Sequence, residues 1–154
     1  MILRGKYNGA KLYTEDAGTE YGLQSTDYGR REIDMDVEDL DIYKKSYELM
    51  LRIHKDSLKY PKIEQYSGIA DQIRRSSKSI TANIVEGFGK QKFYRDEFKR
   101  MLVYSVGSCD ETILWIKTSY DLNYINKSKR DYYIREYKIL VRKISKFISN
   151  MREK

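Results

Sequence analysis

Polar side chains recur along one edge of the helix predicted between residues 69 and 89. This polar seam has the spacing i, i+3, i+7, i+11 and i+14, and it consists of Gln72, Arg75, Ser79, Asn83 and Glu86. At about 100° per residue, these positions run beside a stripe of isoleucines on the same helix. Such side chains can bond to a neighbouring helix or to a ligand. Structural bonding that fixes assembly is the favoured interpretation, with Glu111 as the expected partner for an arginine of this helix.

Two groups of basic side chains could contact phosphates. The α4 row shares one face of the last predicted helix and comprises Arg135, Lys138, Arg142 and Lys146. The second basic cluster follows the polar seam and comprises Lys90, Lys92, Arg95, Lys99 and Arg100. Cations at helical spacing can follow a phosphate backbone without reading base edges. A solvated lysine-rich face is the ordinary alternative, so nucleic-acid binding is a hypothesis at this point.

The chain lacks the residue groupings that are typical of enzymes. It has one histidine, His54, and one cysteine, Cys109, which nearly excludes a tetrahedral zinc site. The sequence contains no P-loop, dinucleotide fingerprint or nucleophile elbow, and no Glu-x-x-His pair of the kind that builds di-iron sites in bundles. We therefore predict a non-enzymatic protein without metal or cofactor. His54 is expected at the core or its edge, and Cys109 is expected to be a buried structural thiol.

Composition and charge suit a small basic protein of one domain. The chain has 154 residues, a net charge of +7 and a pI near 9.3. Residues 1–34 hold five Lys/Arg and six Asp/Glu, so the positive charge resides in residues 35–154. This charge suits a polyanionic partner. A single cysteine fits a reducing compartment, and no apolar run approaches about 20 residues. We expect a cytoplasmic location and no membrane association.

Hydrophobic periodicity predicts four helices after residue 35. Helix one should run from Asp39 to Leu58. Helix two should start after Ser67 as N-cap and end at the glycines of Glu86-Gly87-Phe88-Gly89. Helix three should span Phe93 to Tyr120, and helix four should start at a capping box on Ser128. The inner face of helix one is predicted to be Leu40, Tyr43, Tyr47, Met50, Leu51, His54 and Leu58. The fold prediction is all-α, an up-down antiparallel four-helix bundle.

Helix three has a second apolar strip on the side opposite its core face. The strip consists of Val103, Gly107 and Leu114. A helix that is apolar on two sides must be buried on two sides, and a four-helix domain covers one of them. The strip therefore predicts a homo-oligomer interface, at which Gly107 would allow close approach of another backbone. The pattern does not specify the symmetry of the oligomer.

Residues 1–34 differ in kind from the rest of the chain. They hold five of the nine glycines and four tyrosines, and they lack helical periodicity. We predict two parts: a Gly/Tyr-rich N-terminal tail or extension at 1–34, non-helical and flexible, and a four-helix bundle domain at 35–154. A small extended hairpin packed on the body is the alternative for the first part, and Met35 is a candidate natural start.

The segment from Gln72 to Lys90 resembles the bacterial 23S rRNA intervening-sequence proteins, which are small four-helix bundles. The similarity includes Ser-Ile-x-Ala-Asn-Ile-x-Glu-Gly-x-Gly from Ser79 to Gly89, the Tyr60-Pro61 turn, and Gly107-Ser108-Cys109-Asp110-Glu111 as the Gly-Ser-x-x-Glu of helix three. Lys90 stands where the family usually has arginine. The resemblance covers residues 36–150 and leaves 1–34 without a counterpart.

This resemblance implies a protomer that assembles into a ring, commonly a homopentamer. It also implies kinship with accessory proteins of diversity-generating retroelements, basic pentamers that bind nucleic acid and a reverse transcriptase. With the charge pattern, it predicts a non-enzymatic homo-oligomer that binds RNA or RNA/DNA mainly through phosphate contacts, as an assembly or accessory factor. The alternative is a protein-interaction scaffold whose ring docks a partner protein such as a reverse transcriptase.

Overall fold

The computed structural model describes residues 6–8, 11–13 and 33–151. Four helices form most of this part: α1 Asp41–Ser57, α2 Ile69–Lys90, α3 Arg95–Asp121 and α4 Lys127–Asn150. Single 3₁₀ turns lie at Val37–Asp39 and Lys62–Glu64. Consecutive helices run antiparallel, and contacts link α1 to α2, α2 to α3, α3 to α4 and α4 back to α1. The predicted all-α four-helix bundle is confirmed.

Three short strands precede the helices. Strand β1 (Lys6–Asn8) pairs antiparallel with β2 (Lys11–Tyr13), and β2 pairs antiparallel with β3 (Ile33–Asp34). The register places Tyr7 opposite Leu12 and Leu12 opposite Ile33. The prediction of a flexible tail concerns mainly residues outside the described ranges, so it stays a prediction.

Aliphatic and aromatic side chains from all four helices fill the core. The largest fully buried apolar side chains are Tyr137, Phe98, Leu49, Ile73, Ile80, Ile84, Leu102, Ile116, Leu140 and Ile144. Burial of each side chain of this size contributes about 1.5–3 kcal/mol relative to leaving it exposed. Helical periodicity in the sequence predicts Ile73, Ile80 and Ile84 on the inner face of α2, and all three are buried. It also predicts inner faces with Phe98, Leu102 and Ile116 on α3 and with Tyr137, Leu140 and Ile144 on α4, and these residues are buried as well.

The predicted inner face of α1 is wrong in part: Leu40 is buried and Tyr43, Met50 and His54 are half-buried, but the other three residues are exposed. Tyr47, Leu51 and Leu58 are 42%, 40% and 59% exposed. The buried residues of α1 are Ile42, Ser46, Leu49, Ile53 and Ser57. The two serines donate their hydroxyls to carbonyls of the same helix, at 2.9 Å and 3.0 Å. Because these hydroxyls are satisfied, their burial is inexpensive, so two serines can share the buried face of α1 with Ile42, Leu49 and Ile53.

Two predicted helix starts are also wrong. Ser67 has a φ of 59° and is not an N-cap. Instead, the Glu64 carboxylate accepts the backbone N–H of Ile69 at 2.7 Å, across the connection before α2. At α4, the cap is Asn126 rather than Ser128, and its side chain accepts a first-turn N–H at 2.9 Å. Both side chains satisfy donors that a helix N-terminus leaves without intrahelical partners.

The glycines that were expected to end helix two lie inside α2, which continues to Lys90. A Cβ at Gly87 would lie 2.8 Å from Met101 Cβ and 2.9 Å from Phe98 Cδ2 of α3, whereas one at Gly89 would meet nothing within 4 Å. Gly87 therefore permits the close approach of α2 and α3, and it does not form a turn.

Candidate functional site

The α4 row lies on the side of α4 that faces away from the core. Arg135, Lys138, Arg142 and Lys146 are all exposed. On an ideal helix they fall within an arc of about 80° and along about 16 Å of the axis. Among the described residues, Lys138, Arg142 and Lys146 form no ion pair. The Arg135 Nε lies 3.2 Å from Glu136 Oε1, so this cation is partly neutralised.

A shallow cleft in the α4 surface lies within this row. It is lined by Asp131, Ile134, Arg135, Lys138 and Arg142. Its acidic member, Asp131, lies 2.7 Å from the guanidinium of Arg130. A single helix supplies every wall of the cleft, so the surface is open. Such a surface suits an extended anion better than an enclosed small molecule.

The second basic cluster is less available than the α4 row. The Lys90 Nζ lies 2.5 Å from Glu86 Oε1 of the same helix. The Arg100 guanidinium lies 2.7 Å from Glu97 Oε1. Exposed pairs of this kind are weak because solvent screens them, so a phosphate could displace them at small cost. They nevertheless reduce the positive potential of the cluster.

The remaining members of the second basic cluster differ in exposure. Lys92 is exposed and forms no ion pair with any residue that the structure describes. Lys99 is half-buried, and the side chain of Arg95 lies outside the description. The Phe98 ring, near the start of α3, is 5.7 Å from the Phe147 ring near the end of α4. The second basic cluster and the end of the α4 row therefore lie at the same end of the bundle.

The polar seam divides into two parts. Ser79 Oγ accepts from Ser108 Oγ at 3.0 Å and from Asn83 Nδ2 at 3.3 Å, which joins α2 to α3. Arg75 is exposed and lies 3.8 Å from Asp71 Oδ2, one turn away on its own helix. Ser79 thus links α2 to α3, whereas among the described residues Arg75 and Glu86 bond to no other helix. The role of the seam as a whole stays a prediction.

Among the described residues of one protomer, Glu111 does not pair with an arginine of α2, so their pairing between subunits stays a prediction. Glu111 is exposed, and its carboxylate accepts from Trp115 Nε1 at 3.3 Å on the same helix. Of the two arginines of α2, Arg74 donates to the side chain and the carbonyl of Gln65, at 2.8 Å and 2.7 Å. Gln72 is half-buried at the edge of the core.

Buried hydroxyls form further polar links between helices, and the sequence patterns did not reveal them. Thr112 Oγ1 donates to Ser76 Oγ at 2.9 Å, and Thr81 Oγ1 donates to Ser46 Oγ at 3.0 Å. Ser105 Oγ donates to a carbonyl of α2 at 3.1 Å. Each satisfied hydrogen bond contributes about 0.5–1.5 kcal/mol. The sequence feature that could have revealed these links is a serine or threonine within an apolar stripe.

Comparison with known proteins assigns this bundle to a family. The family model described as 23S rRNA-intervening sequence protein matches residues 38–146. The chain belongs to this family. A crystal structure of a protein with unknown function from the S23 ribosomal protein family of Bacteroides thetaiotaomicron is similar to it, with a TM-score of 0.63 and 23% identity over 70% of this chain and 95% of that chain. At this identity the similarity shows the fold alone. No curated protein matches the chain.

The predicted resemblance to the intervening-sequence proteins is thus confirmed, while kinship with retroelement accessory proteins stays a prediction.

Cys109 is fully buried as expected, and burial raises the pKa of its thiol to about 12. A thiol in that state is a poor nucleophile. His54 is half-buried, and its Nδ1 has no hydrogen-bond partner among the described residues. Within the described ranges, no group of His, Cys, Asp and Glu could hold a metal ion.

None of the helices that the structure describes is both long and apolar enough to span a bilayer.

The second apolar strip of this intervening-sequence family member is uncovered in the protomer. Val103 and Leu114 are 54% and 52% exposed. A Cβ on Gly107 would meet no atom within 4 Å, so this stretch of α3 is open to a neighbour. The outer side of α1, with Tyr47 and Leu51, is a further exposed apolar surface.

Side-chain hydrogen bonds and an ion pair to α1 hold α4 in position. Asp56 Oδ1 accepts from Lys129 Nζ at 2.7 Å, and Asp56 Oδ2 accepts from Tyr133 OH at 2.7 Å. Farther along the two helices, Lys45 Nζ lies 2.5 Å from Glu136 Oε2. Burial and the Asp56 carboxylate raise the pKa of Tyr133, so its hydroxyl remains a donor. These interactions orient the helix that carries the α4 row.

Replacing Asp56 by asparagine should lower the free energy of unfolding by about 1–2 kcal/mol at pH 7. Burial alone would raise the pKa of Asp56, but hydrogen bonds from Lys129 and Tyr133, with the charges of Lys129 and Lys59, lower it overall. A lowered pKa stabilises the fold above about pH 4, the usual aspartate range, and this contribution is lost as the pH falls through the folded-state pKa. The wild type and the variant should therefore differ less in their free energy of unfolding below about pH 4. Urea unfolding at each pH measures this difference.

Asp110→Asn is the matched control, because Asp110 is exposed on α3 and forms no ion pair with the described residues. It should change the free energy of unfolding by less than about 0.5 kcal/mol both at pH 7 and below about pH 4. If Asp56→Asn lowered the free energy of unfolding by the same amount at pH 7 and at strongly acidic pH, the assigned role of the carboxylate would be contradicted.

Proposed function

We propose that this protein is a non-enzymatic, cytoplasmic homo-oligomer that binds RNA or RNA/DNA through phosphate contacts, as an assembly or accessory factor. The observation that carries the proposal is the α4 row. Three of its four cations are exposed and form no ion pair with any described residue. Unpaired cations at helical spacing form a surface that can follow a polyanion.

Phosphate contacts explain both the affinity and the weak selectivity that we expect. The Arg142 guanidinium can donate two parallel hydrogen bonds to one phosphate, and Lys138 and Lys146 act as point charges on either side of it. Each contact releases condensed counterions, so binding weakens as salt rises. An open helix surface that holds cations in a row offers no side chain placed against a base edge, so sequence selectivity should be small.

Assembly would multiply this surface. The uncovered strip of Val103, Gly107 and Leu114 supports self-association, because an apolar patch on a soluble protein usually marks an interface. A ring would repeat the α4 row once per subunit, and linked weak contacts gain affinity through their effective concentration. The family resemblance favours a pentamer.

Changing Arg142 and Lys146 to glutamate together should weaken binding to unrelated RNA sequences by about tenfold or more. The two substitutions remove two phosphate contacts and introduce repulsion at the same positions. The slope of log affinity against log salt should become shallower by about 1–2. Fluorescence anisotropy with labelled RNA between low and physiological salt measures both quantities.

Lys55→Glu with Lys78→Glu is the matched control, because it makes the same change in net charge on exposed positions of α1 and α2. It should leave the salt slope nearly unchanged. Equal losses in the two double variants would show that total charge, and not the α4 row, governs binding. Unchanged affinity of the Arg142/Lys146 variant would contradict the proposed interface.

A protein-interaction scaffold is the second candidate. Exposed apolar residues on α1 and α3, among them Tyr47, Leu51 and Tyr104, favour it, because such surfaces suit protein partners. The partner would be a protein such as a reverse transcriptase, and the charge would serve solubility. A salt-insensitive complex with one protein that the Arg142/Lys146 variant retains would support this function over the first.

A further inference from the structure

The turn between α2 and α3 presents two aromatic side chains to solvent. Phe93 and Tyr94 are 82% and 70% exposed. A single exposed apolar residue is ordinary, but two adjacent rings in this state leave a sizeable aromatic surface uncovered. Lys92 immediately precedes the rings and is itself exposed. The turn thus combines aromatic faces with a cation.

The backbone of this turn is held by hydrogen bonds. The N–H groups of Phe93 and Tyr94 both donate to the carbonyl of Lys90, at 3.0 Å and 2.9 Å. The carbonyl of Tyr94 accepts the N–H of Glu97 at 3.1 Å as α3 begins. The two rings therefore project from an ordered backbone, so a ligand that stacks on them loses little of its binding free energy to ordering the chain.

The turn lies at the end of the bundle towards which the α4 row leads. The contact between the Phe98 and Phe147 rings places the start of α3 beside the end of α4. Lys146, the last cation of the row, directly precedes Phe147 in the sequence. A strand whose phosphates lie on the row would therefore bring its next nucleotides towards the aromatic turn.

We propose that Phe93 and Tyr94 form a stacking platform for unpaired bases, so that the preferred ligand is single-stranded nucleic acid. This inference rests on the proposed function, since the α4 row supplies the phosphate contacts. Bases in a duplex are already stacked on each other, whereas unpaired bases can leave the strand and stack on aromatic side chains. Stacking is tolerant of sequence because every base has a π-face, which agrees with a surface that lacks base-edge contacts.

The test compares Phe93→Ala/Tyr94→Ala with wild type on a labelled 20-nucleotide uridine strand and on a blunt RNA duplex of the same length. The double variant should bind the single strand at least tenfold more weakly. Its affinity for the duplex should change by less than about twofold, and its salt slope should stay the same, because no phosphate contact is removed. Phe93→Tyr/Tyr94→Phe keeps both rings and should retain wild-type affinity for both probes.

Tyr66→Ala is the matched control, because Tyr66 is 87% exposed in the connection before α2, about 33 Å away along that helix. It should leave both affinities unchanged. Equal loss on strand and duplex, or an unchanged single-strand affinity, would overturn the platform while leaving the proposed function intact. A smaller oligomer in the alanine variant by light scattering would assign the rings to a subunit contact and also overturn it. Wild-type protein that binds neither probe would overturn the proposed function itself.

Discussion

Replacing Gly87 by alanine is expected to lower the free energy of unfolding by about 1–2 kcal/mol, although alanine is the better helix former. The new Cβ would lie 2.8 Å from Met101 Cβ and 2.9 Å from Phe98 Cδ2. Overpacking of a dense core costs about 1–3 kcal/mol, which exceeds the gain of up to about 1 kcal/mol in helix propensity. Urea unfolding monitored by circular dichroism measures the difference.

Gly89→Ala supplies a matched control two residues away on α2. Its Cβ would meet no atom within 4 Å, so the propensity gain is unopposed and stability should rise by a few tenths of a kcal/mol up to about 1. The two substitutions should therefore change stability in opposite directions. A stabilising effect at both positions would mean that α2 and α3 are farther apart than the contacts of Gly87 indicate.

Leu114→Glu is expected to convert the proposed oligomer into monomers or small species while helical content is preserved. Leu114 is 52% exposed in the protomer, so the isolated bundle should tolerate glutamate there. In an assembled interface, the same carboxylate would be buried without a partner, at a cost of several kcal/mol for each copy. Light scattering combined with size-exclusion chromatography measures the molar mass, and far-UV circular dichroism measures the helix content.

Leu122→Glu is the control for this change, because Leu122 is 46% exposed at the end of α3, away from the strip. It should leave the molar mass unchanged. Wild-type protein that remains monomeric at high micromolar concentration would remove the case for an assembly. Dissociation caused equally by both substitutions would instead place the interface at the end of α3.

The inner faces of α3 and α4 could be predicted from the sequence because their large apolar residues recur at the helical period on the buried side. On α1 the same rule failed. There the buried side includes Ser46 and Ser57, whereas Tyr47 and Leu51 lie on the exposed side. Periodicity reports where apolar bulk lies on a helix, and a helix with apolar residues on two sides requires its neighbours to decide which side faces the core.

Sequence signals for helix ends failed for a related reason. Ser67 and Ser128 match capping preferences, yet the N-caps are Gly68 and Asn126, and Glu64 accepts the first N–H of α2. Several residues near a helix start can satisfy its free N–H groups. Which one does so depends on the path of the preceding connection, and at Glu64 that path also includes a hydrogen bond from Tyr124 OH across the bundle.

The sequence by itself determined the number of helices, the all-α class, the family and the presence of a cationic row on α4, because each depends on local periodicity or on residue identity. Ion pairs within one helix could also be inferred from the sequence, since Lys90 and Arg100 pair with Glu86 and Glu97, four and three residues away. The tertiary structure decided that Lys138, Arg142 and Lys146 meet no acidic partner from another helix among the described residues. It also decided that Gly87 permits helix contact and that the Phe93–Tyr94 turn faces solvent. Such properties depend on distances between residues that are remote in sequence, and only packing of the chain sets those distances.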